Sequence, residues 1–221
     1  MKQPYFTPKT IQQKSTDMLN KMARFRPRRS FALVPRHSAL IILDMQKYFL
    51  DASSHAYVSN AQAIIPGIRA LIEVYSEYHL PIIFTQHVNT IHDAGMLAKW
   101  WRDLITEKDP LSEITDELDT STGTRLRKSQ YDAFYHTKLE DLLRGRHVTQ
   151  VVICGVMTHL CCETTARSAF VHGFEVFFTI DGTATYNEDF HLATLTNLSH
   201  GFAVPVLVEE VLAVFQGDDA D

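Results

Sequence analysis

One short stretch of the chain combines a reactive residue type with a local pattern that could activate it. Residues 151–154 form a continuous apolar run, typical of a strand buried on both faces, and Gly155 ends the run. Cys161 follows, and small and apolar residues then recur at helical spacing up to Gly173, a typical C-cap glycine. Because a helix N-terminus favours thiolate over thiol, Cys161 is a candidate nucleophile, and the free N–H groups there could bind an oxyanion. On the local sequence alone, however, a cysteine near the end of a buried strand is more often a small residue that fills the core than a nucleophile.

Two further polar residues stand at the ends of predicted strands. Asp44 follows the apolar run 39–43, and Lys128 ends the alternating segment 123–128. The C-terminal ends of parallel strands share one edge of a sheet, so Asp44, Lys128 and Cys161 could meet there. An ammonium group lowers the pKa of a neighbouring thiol, and a carboxylate can take the thiol proton and return it to a leaving group. Taken separately, Asp44 could be a turn residue and Lys128 a solvated side chain.

The elements that would position these residues alternate along the chain. We predict strands at 39–43, 80–85, 123–128, 151–154, 174–180 and 203–208, and helices at 11–22, 60–78, 139–144, 161–173, 188–200 and near the C-terminus. This alternation predicts an α/β fold with three α-β-α layers around a mostly parallel, six-stranded, doubly wound (Rossmann-like) sheet. The irregular segment 88–122 is long enough to form a wall over a substrate.

Length and composition predict one globular domain. The chain has 221 residues, of which 45% are hydrophobic and 21% charged, and we expect a single domain over 1–221 whose residues 1–30 form an N-terminal arm. The arm carries a basic patch, which is either a solvated segment or a surface that packs on a partner subunit. The patch consists of Arg24, Arg26, Arg28 and Arg29.

Charge and motifs exclude several classes of function. A net charge of −5 gives no reason to expect binding to nucleic acid or membranes, and no run approaches the roughly 20 apolar residues of a membrane helix. Three cysteines do not make a disulfide framework, and the N-terminal stretch lacks the apolar region of a signal peptide, so we expect a cytoplasmic protein. The sequence contains no GxGxxG, GxxxxGK[ST] or GxSxG motif, which disfavours dinucleotide enzymes, NTPases and serine α/β-hydrolases.

Metal-binding motifs are also missing from the sequence. HExxH and CxxC patterns do not occur, and the scattered acidic and histidine residues that could be imagined as ligands are typical of surfaces and turns. We therefore expect neither a metal nor another cofactor. The residues in question are Asp51, His55, His87 and His92.

Four segments of the chain resemble one enzyme family, the isochorismatase-like cysteine hydrolases, which include nicotinamidases, N-carbamoylsarcosine amidases and isochorismatases. The segments are ALIILDMQKYF (39–49), PIIFTQH (81–87), KSQYDAFYHTKL (128–139) and, above all, VVICGVMTHLCCETTARSAFVHGFEVFFTIDGTAT (151–185). The resemblance covers about residues 4–215. It implies a catalytic triad of Asp44, Lys128 and Cys161, a cis peptide bond between Val156 and Met157, and an oxyanion hole formed by the N–H groups of Met157 and Cys161.

The implied activity is attack of the Cys161 thiolate on an amide or similar carbonyl of a small molecule, followed by hydrolysis of a thioester. Cys154 and Cys162 are interpreted as packing residues. Members of the family are commonly oligomers, so we expect a homo-oligomer. We expect six further residues to contact the substrate, namely Gln46, Phe49, Gln86, Tyr131, Phe134 and Thr158.

Two departures from the family pattern leave the substrate open. Ser53 and Asn89 stand where metal-dependent nicotinamidases would be expected to carry histidines. In the other direction, the N-terminal arm and the insert resemble isochorismatases proper, which usually carry glycine at the position of Cys161. Hydrolysis of a C–N bond is therefore the first hypothesis. A vinyl-ether hydrolase that converts isochorismate to dihydroxy-dihydrobenzoate and pyruvate, with Asp44 as the acid, is the second, and an inactive scaffold or binding subunit is the third.

Overall fold

A computed structural model describes residues 2–25 and 31–218, and its centre is a single parallel sheet. Its six strands lie in the order β3-β2-β1-β4-β5-β6, and every neighbouring pair is parallel. The strands are β1 (Ser38–Leu43), β2 (Ile82–His87), β3 (Thr124–Lys128), β4 (Gln150–Val156), β5 (Glu175–Ala184) and β6 (Val204–Val206). The predicted α/β architecture is thus confirmed, and the sheet is parallel throughout.

Helices flank this sheet. They are α1 (Ile11–Met22), α2 (Lys47–Leu50), α3 (Ala61–Glu77), α4 (Leu97–Trp100), α5 (Leu139–Arg144), α6 (Glu163–Val171), α7 (Glu188–Gly201) and α8 (Val208–Asp218). Helix α3 packs against α8 and the central strands, while α7 contacts both α1 and α6. Within the described part of the chain, no helix has the length and apolar character needed to cross a lipid bilayer.

The prediction of a helix beginning at Cys161 needs a correction. The chain first forms a π-helical turn, Thr158–Cys162, and α6 begins only at Glu163. Two strands also extend beyond their apolar cores, since β2 runs to His87 and β5 to Ala184. In the arm, α1 has the bounds predicted from its periodicity, whereas Arg26, Arg28 and Arg29 lie outside the described residues.

Strands β1 and β4 form the centre of the core and decide where a site can lie. All residues of both strands are buried, as their continuous apolar sequences predict. The connections leave these two adjacent strands in opposite directions along the sheet, towards β2 and towards β5. A parallel sheet opens a crevice at such a switch point, outside the carboxyl ends of its strands.

Candidate active site

Each candidate catalytic residue stands at the carboxyl end of a strand. Asp44 directly follows β1 and has a positive φ of 49°, which is uncommon for a residue other than glycine. Lys128 is the last residue of β3, and Cys161 lies in the π-helical turn after β4. The strand between β1 and β3 ends at His87, which pairs with Lys128 in the sheet register. Four strands therefore deliver four polar side chains to one edge.

Lys128 lies at the centre of this group. Its Nζ is 2.7 Å from Asp44 Oδ2, 3.3 Å from Cys161 Sγ and 3.3 Å from His87 Nδ1. It also donates to the Gln130 carbonyl at 2.9 Å. The side chains of Lys128 and Asp44 are fully buried, and a buried ion pair persists only where further hydrogen bonds satisfy it. The arrangement fixes the ammonium between the carboxylate and the sulfur.

The two oxygens of Asp44 have different surroundings. Oδ1 accepts a hydrogen bond from Thr85 Oγ1 at 2.6 Å, and the Asp44 N–H donates to the same hydroxyl oxygen at 3.0 Å. Oδ2 forms an ion pair with the Lys128 ammonium at 2.7 Å, and a side-chain hydrogen bond also joins the carboxylate to Cys161. Because the Cys161 sulfur lies within 4.8 Å of the carboxylate, Oδ2 is available to accept the thiol proton.

Burial and charge set the resting protonation states. Burial is the largest single influence on Asp44 and raises its pKa, but the charges of Lys128 and His87 and the hydrogen bonds from Cys161 and Lys128 together hold that pKa below its ordinary value. Burial is also the largest influence on Lys128 and lowers its pKa, but the charges of Asp44 and Cys161 and the hydrogen bonds to them together bring that pKa above its ordinary value. For Cys161, burial and then the Asp44 charge raise the pKa of the thiol, against the effect of Lys128. The resting site is therefore carboxylate, ammonium and thiol, and differs from the thiolate that the sequence suggested.

His87 supports Lys128 as a neutral hydrogen-bond acceptor. Its pKa is lowered to about 4 by burial and by the charge of Lys128, and the ammonium can only donate, so Nδ1 accepts. The ring's Nε2 then donates to Asn89 Oδ1 at 2.9 Å. Asn89 is oriented in turn, because its Nδ2 donates to the Ser129 carbonyl at 2.8 Å.

Asp44, His87 and Cys161 also form a cluster of possible metal ligands. Their ligand atoms lie within 4.8 Å of one another. The Lys128 ammonium stands among them, however, and contacts all three side chains, so a metal cation at this point would face its charge at close range. These residues do not fit a metal while Lys128 is protonated.

The turn before Cys161 presents backbone N–H groups beside the sulfur. The Val156–Met157 peptide bond is cis. The Met157 N–H has no backbone acceptor among the described residues, and the Cys161 N–H lies in the first turn of a helix, where such groups lack intrahelical partners. Gly155 allows this turn to lie against β1, because its φ is +110° and a Cβ would lie 2.1 Å from the Leu43 carbonyl oxygen.

Cys161 lines a cleft with mostly aromatic and aliphatic walls. The cavity volume is about 70 Å³. Asp103 is the one carboxylate among the described residues that line the cleft, and the lining contains neither lysine nor arginine. Trp101 Nε1 donates to the Tyr131 hydroxyl at 2.5 Å and joins two of the walls. The lining residues are Tyr48, Phe49, His55, His87, Asn89, Leu97, Trp101, Asp103, Leu104, Ile105, Tyr131, Met157, Leu160, Cys161 and Tyr186.

Two of the six residues expected to contact the substrate, Phe49 and Tyr131, line this cleft. The other four are not among the residues that line the cleft, and their contact with a substrate stays a prediction. Buried Gln46 accepts from the His87 N–H and donates to the His87 and Ser112 carbonyls, and Gln86 also donates to Ser112.

Phe134 and Thr158 contact other parts of the protein. Phe134 stacks on His172, with ring centroids 4.8 Å apart. Thr158 is fully buried, and its Oγ1 lies 3.4 Å from His191 Nδ1.

Sequence patterns misjudged or missed several residues that shape the site. His87 was named only as a histidine typical of surfaces and turns, whereas it is buried at the end of β2 and contacts Lys128. Asp103, Leu104 and Tyr186 belong to segments without periodicity, and only the tertiary structure brings them to the cleft. Cys154 and Cys162 are both buried and unpaired, as expected for packing residues.

Comparisons with known proteins agree on one family. The isochorismatase domain model matches residues 38–210. Nicotinamidase 3 of Arabidopsis thaliana is 40% identical over 75% of this chain and 82% of its own length. Enterobactin synthase component B of Escherichia coli K12 is 29% identical over 82% of this chain, which spans 65% of that protein.

Solved structures have the same fold. A cysteine hydrolase from Pseudomonas syringae pv. phaseolicola superposes with a TM-score of 0.82 at 24% identity, over 87% of this chain and 98% of that one. N-carbamoylsarcosine amidase from Thermoplasma acidophilum gives a TM-score of 0.68 at 22% identity, over 78% of this chain and 96% of that one.

Proposed function

Since this chain belongs to the isochorismatase family of hydrolases, we propose that it hydrolyses the carbonyl–nitrogen bond of a small, uncharged amide. The observation that carries this proposal is the position of the Cys161 sulfur. It faces an apolar cleft while in contact with Lys128 and close to the Asp44 carboxylate. Such a group has the parts that acyl transfer needs: a nucleophile, a base and a positive charge.

In the first step, Asp44 Oδ2 takes the proton of the Cys161 thiol as the sulfur attacks the amide carbonyl. The carbon–sulfur bond forms, and the carbonyl electron pair moves onto oxygen. The N–H groups of Met157 and Cys161 bind the oxyanion, and Lys128 stabilises the negative charge that passes between the sulfur and Asp44. Because the resting group is a thiol, the transfer to Asp44 is what makes the sulfur nucleophilic.

The second half of the reaction reuses the same proton. Asp44 returns it to the leaving nitrogen as the carbon–nitrogen bond breaks, which leaves a thioester on Cys161 and releases ammonia or an amine. Asp44 then takes a proton from a water molecule, which attacks the thioester and releases the acid. The final proton transfer restores the thiol.

The charge of the cleft favours an uncharged substrate. A dianionic substrate would bring its carboxylates next to Asp103, with no arginine or lysine among the described lining residues to bind them. A flat ring with one carboxamide, by contrast, suits walls formed by Phe49, Trp101 and Tyr131. The most similar relative named above is a nicotinamidase, so nicotinamide is the amide to test first.

The test measures ammonia release from nicotinamide and from a panel of aromatic and aliphatic amides and carbamoyl amino acids. Cys161→Ala should abolish turnover of any active amide, and Cys162→Ala is the matched control, since Cys162 is a buried cysteine one residue away. If Cys161→Ala kept most of the activity, attack by Cys161 would be wrong.

Vinyl-ether hydrolysis is the second candidate, supported by the 29% identity to enterobactin synthase component B. In that reaction Asp44 would protonate the substrate and Cys161 would be dispensable. Isochorismate turnover that survives Cys161→Ala but not Asp44→Ala would favour this candidate over amide hydrolysis.

A further inference from the structure

The segment 2–6 lies outside the stretch matched by the family model, which begins at residue 38, yet it is built into the same chain's core. Asn60 Oδ1 accepts hydrogen bonds from the N–H groups of Tyr5 and Phe6, at 2.7 and 3.0 Å. The Gln3 N–H donates to the Tyr186 carbonyl at 2.7 Å. Tyr5 and Phe6 are almost fully buried. The segment is thus held by its own chain.

The Tyr5 hydroxyl ends in a polar cluster behind the candidate site. It accepts a hydrogen bond from the Thr185 N–H at 3.1 Å and lies 2.7 Å from His191 Nδ1. A tyrosine hydroxyl has one proton to donate, and His191 is fully buried with its pKa lowered to about 3 by that burial. The hydroxyl and Nδ1 of a neutral imidazole therefore share one buried hydrogen bond.

This cluster reaches the turn that carries the nucleophile. Thr158, the first residue of the π-helical turn, places its hydroxyl 3.4 Å from the same His191 nitrogen and in contact with the Tyr5 hydroxyl. The next residue, His159, is bound through Nδ1 to Thr185 Oγ1 at 2.5 Å. Cys161 lies two residues further along the same turn. Tyr5, His191 and Thr185 thus hold the turn through residues that do not line the cleft.

We propose that Tyr5 is a positioning residue for Cys161, acting through His191, Thr185 and Thr158. It fixes the π-helical turn so that the sulfur stays within reach of Asp44 and Lys128. Without the hydroxyl, the Thr185 N–H and His191 Nδ1 lose a buried partner and the turn loses its support. A displacement of the order of 1 Å at a reacting atom can cost about a hundredfold in rate. This inference rests on the proposed role of Cys161.

The test compares two tyrosine variants that each lose one buried hydroxyl. In Tyr5→Phe the lost group supports the turn. In Tyr75→Phe the lost group bonds Ser38 Oγ at 2.8 Å, at the other end of β1. Both tyrosines are buried, so both variants should lower the midpoint of thermal unfolding. The functional readout is the rate at which iodoacetamide alkylates Cys161, followed by peptide mass spectrometry well below that midpoint.

We expect Tyr5→Phe to slow or speed this alkylation at least about fivefold and to lower kcat on an active amide roughly tenfold or more, with little change in KM. Tyr75→Phe should leave all three quantities at the wild-type values. Equal effects of the two variants, or no effect of Tyr5→Phe, would overturn the positioning role and leave only a structural one.

Alkylation of the wild-type protein separates this inference from the proposed function. If Cys161 and the buried Cys154 and Cys162 proved equally inert, or if Asp44→Asn left the alkylation of Cys161 unchanged, the proposed chemistry itself would fail. If Cys161 responds to Asp44→Asn but not to Tyr5→Phe, the proposed function stands and the role of Tyr5 is wrong.

Discussion

The two edges of the sheet differ in buried charge, and this difference shows which of their buried polar groups and cavities belong to a candidate site. At the amino edge, Ser38 opens β1 and its hydroxyl bonds the Tyr75 hydroxyl and the Pro35 carbonyl. At the carboxyl edge, the same strand leads into Asp44, whose Oδ2 forms a fully buried ion pair with Lys128 at 2.7 Å. One end of β1 is neutral and hydrogen-bonded, and the other holds charge that can act on a ligand.

If the candidate site were chosen by cavity volume alone, it would be placed at the amino edge of the sheet. A cavity of about 330 Å³ lies beside the amino ends of β5 and β6, and another of about 330 Å³ lies beside those of β2 and β3. The cleft at Cys161 has about 70 Å³. The smaller cavity is the candidate site because the Cys161 side chain lines it. The Cys161 sulfur contacts the Lys128 ammonium and lies close to the Asp44 carboxylate.

The largest effect is expected from a substitution that removes a charge at the carboxyl edge of the sheet. Asp44→Asn removes the proposed base and leaves the Lys128 ammonium buried without a counter-ion. We expect amidase activity to fall by at least about a thousandfold and the free energy of unfolding to fall by about 3–5 kcal/mol. Activity assays and urea denaturation measure the two effects.

Ser38→Ala is the control at the neutral edge of the same strand. It removes one hydrogen-bonded hydroxyl, which should cost about 1–3 kcal/mol and leave kcat and KM unchanged. A loss of activity in this variant comparable to that of Asp44→Asn would mean that the two edges are not functionally distinct.

Two glycines with positive φ test how closely each edge is packed. Gly155, shortly before the π-helical turn, has a φ of +110°, and an added Cβ would lie 2.1 Å from the Leu43 carbonyl oxygen. Gly173, before β5, has a φ of +84° and no atom within 4 Å of an added Cβ. Gly155→Ala should therefore destabilise the protein by more than about 3 kcal/mol, and Gly173→Ala by only about 1–2 kcal/mol. Equal losses in urea denaturation would contradict the close approach at Gly155.

The carboxyl edge should also show the pH dependence of its buried groups. The pKa of His87 is lowered to about 4, and protonation would place a second positive charge against Lys128. The pKa of Asp44 is below its ordinary value. We therefore expect kcat/KM to change little from pH 7 to about 5 and to fall steeply near pH 4. A fall already complete at pH 6 would contradict a neutral His87.

The sign of the corresponding stability change follows from the same group. The unfolded chain binds a proton on histidine near pH 6.5, about as a model peptide does, whereas folded His87 stays neutral until about pH 4. Between these values the unfolded state holds more protons, so the free energy of unfolding decreases as pH falls, by up to about 1.4 kcal/mol per pH unit for this group. Urea denaturation at pH 7, 6 and 5 measures the slope, and His87→Gln should reduce it.

The smallest effect is expected in the wall of the cleft. Tyr131→Phe removes the acceptor of the Trp101 indole N–H, which bonds the Tyr131 hydroxyl at 2.5 Å. We expect KM for an amide substrate to rise about two- to fivefold with kcat nearly unchanged, because the wall contacts the ring and not the reacting carbonyl. A selective fall in kcat would instead assign Tyr131 a role in the chemistry.

Much of the architecture could be predicted from sequence because buried parallel strands have continuous apolar runs. The runs before Asp44 and Gly155 marked β1 and β4, and the shared edge of parallel strands then brought Asp44, Lys128 and Cys161 into one group. The π-helical turn was not predictable in this way, because a helix that begins at Cys161 and one that begins two residues later have the same periodicity. Thr158, expected to contact the substrate, has its hydroxyl 3.4 Å from His191 Nδ1, a contact that no local pattern indicates.

Contacts between segments that lie far apart in the sequence could not be predicted from local sequence patterns. Asn60 binds Tyr5 across 55 positions, and neither residue carries a local signal for the other. The resting thiol at Cys161 also depended on tertiary structure, because a helix terminus suggests thiolate while full burial beside a carboxylate favours the protonated form. Assembly as a homo-oligomer and a cytoplasmic location stay predictions.

The order of the strands in the sheet affects the stage of refolding at which the protein can regain activity. Lys128 ends β3, an edge strand of the sheet, and reaches Asp44 across the intervening β2. A refolding chain that had formed every element except β3 would have nearly all of its native secondary structure, but would lack the Lys128 ammonium at the site. The proposed turnover requires β3 to be in place, and a stopped-flow comparison of turnover with far-ultraviolet circular dichroism would show whether β3 docks late.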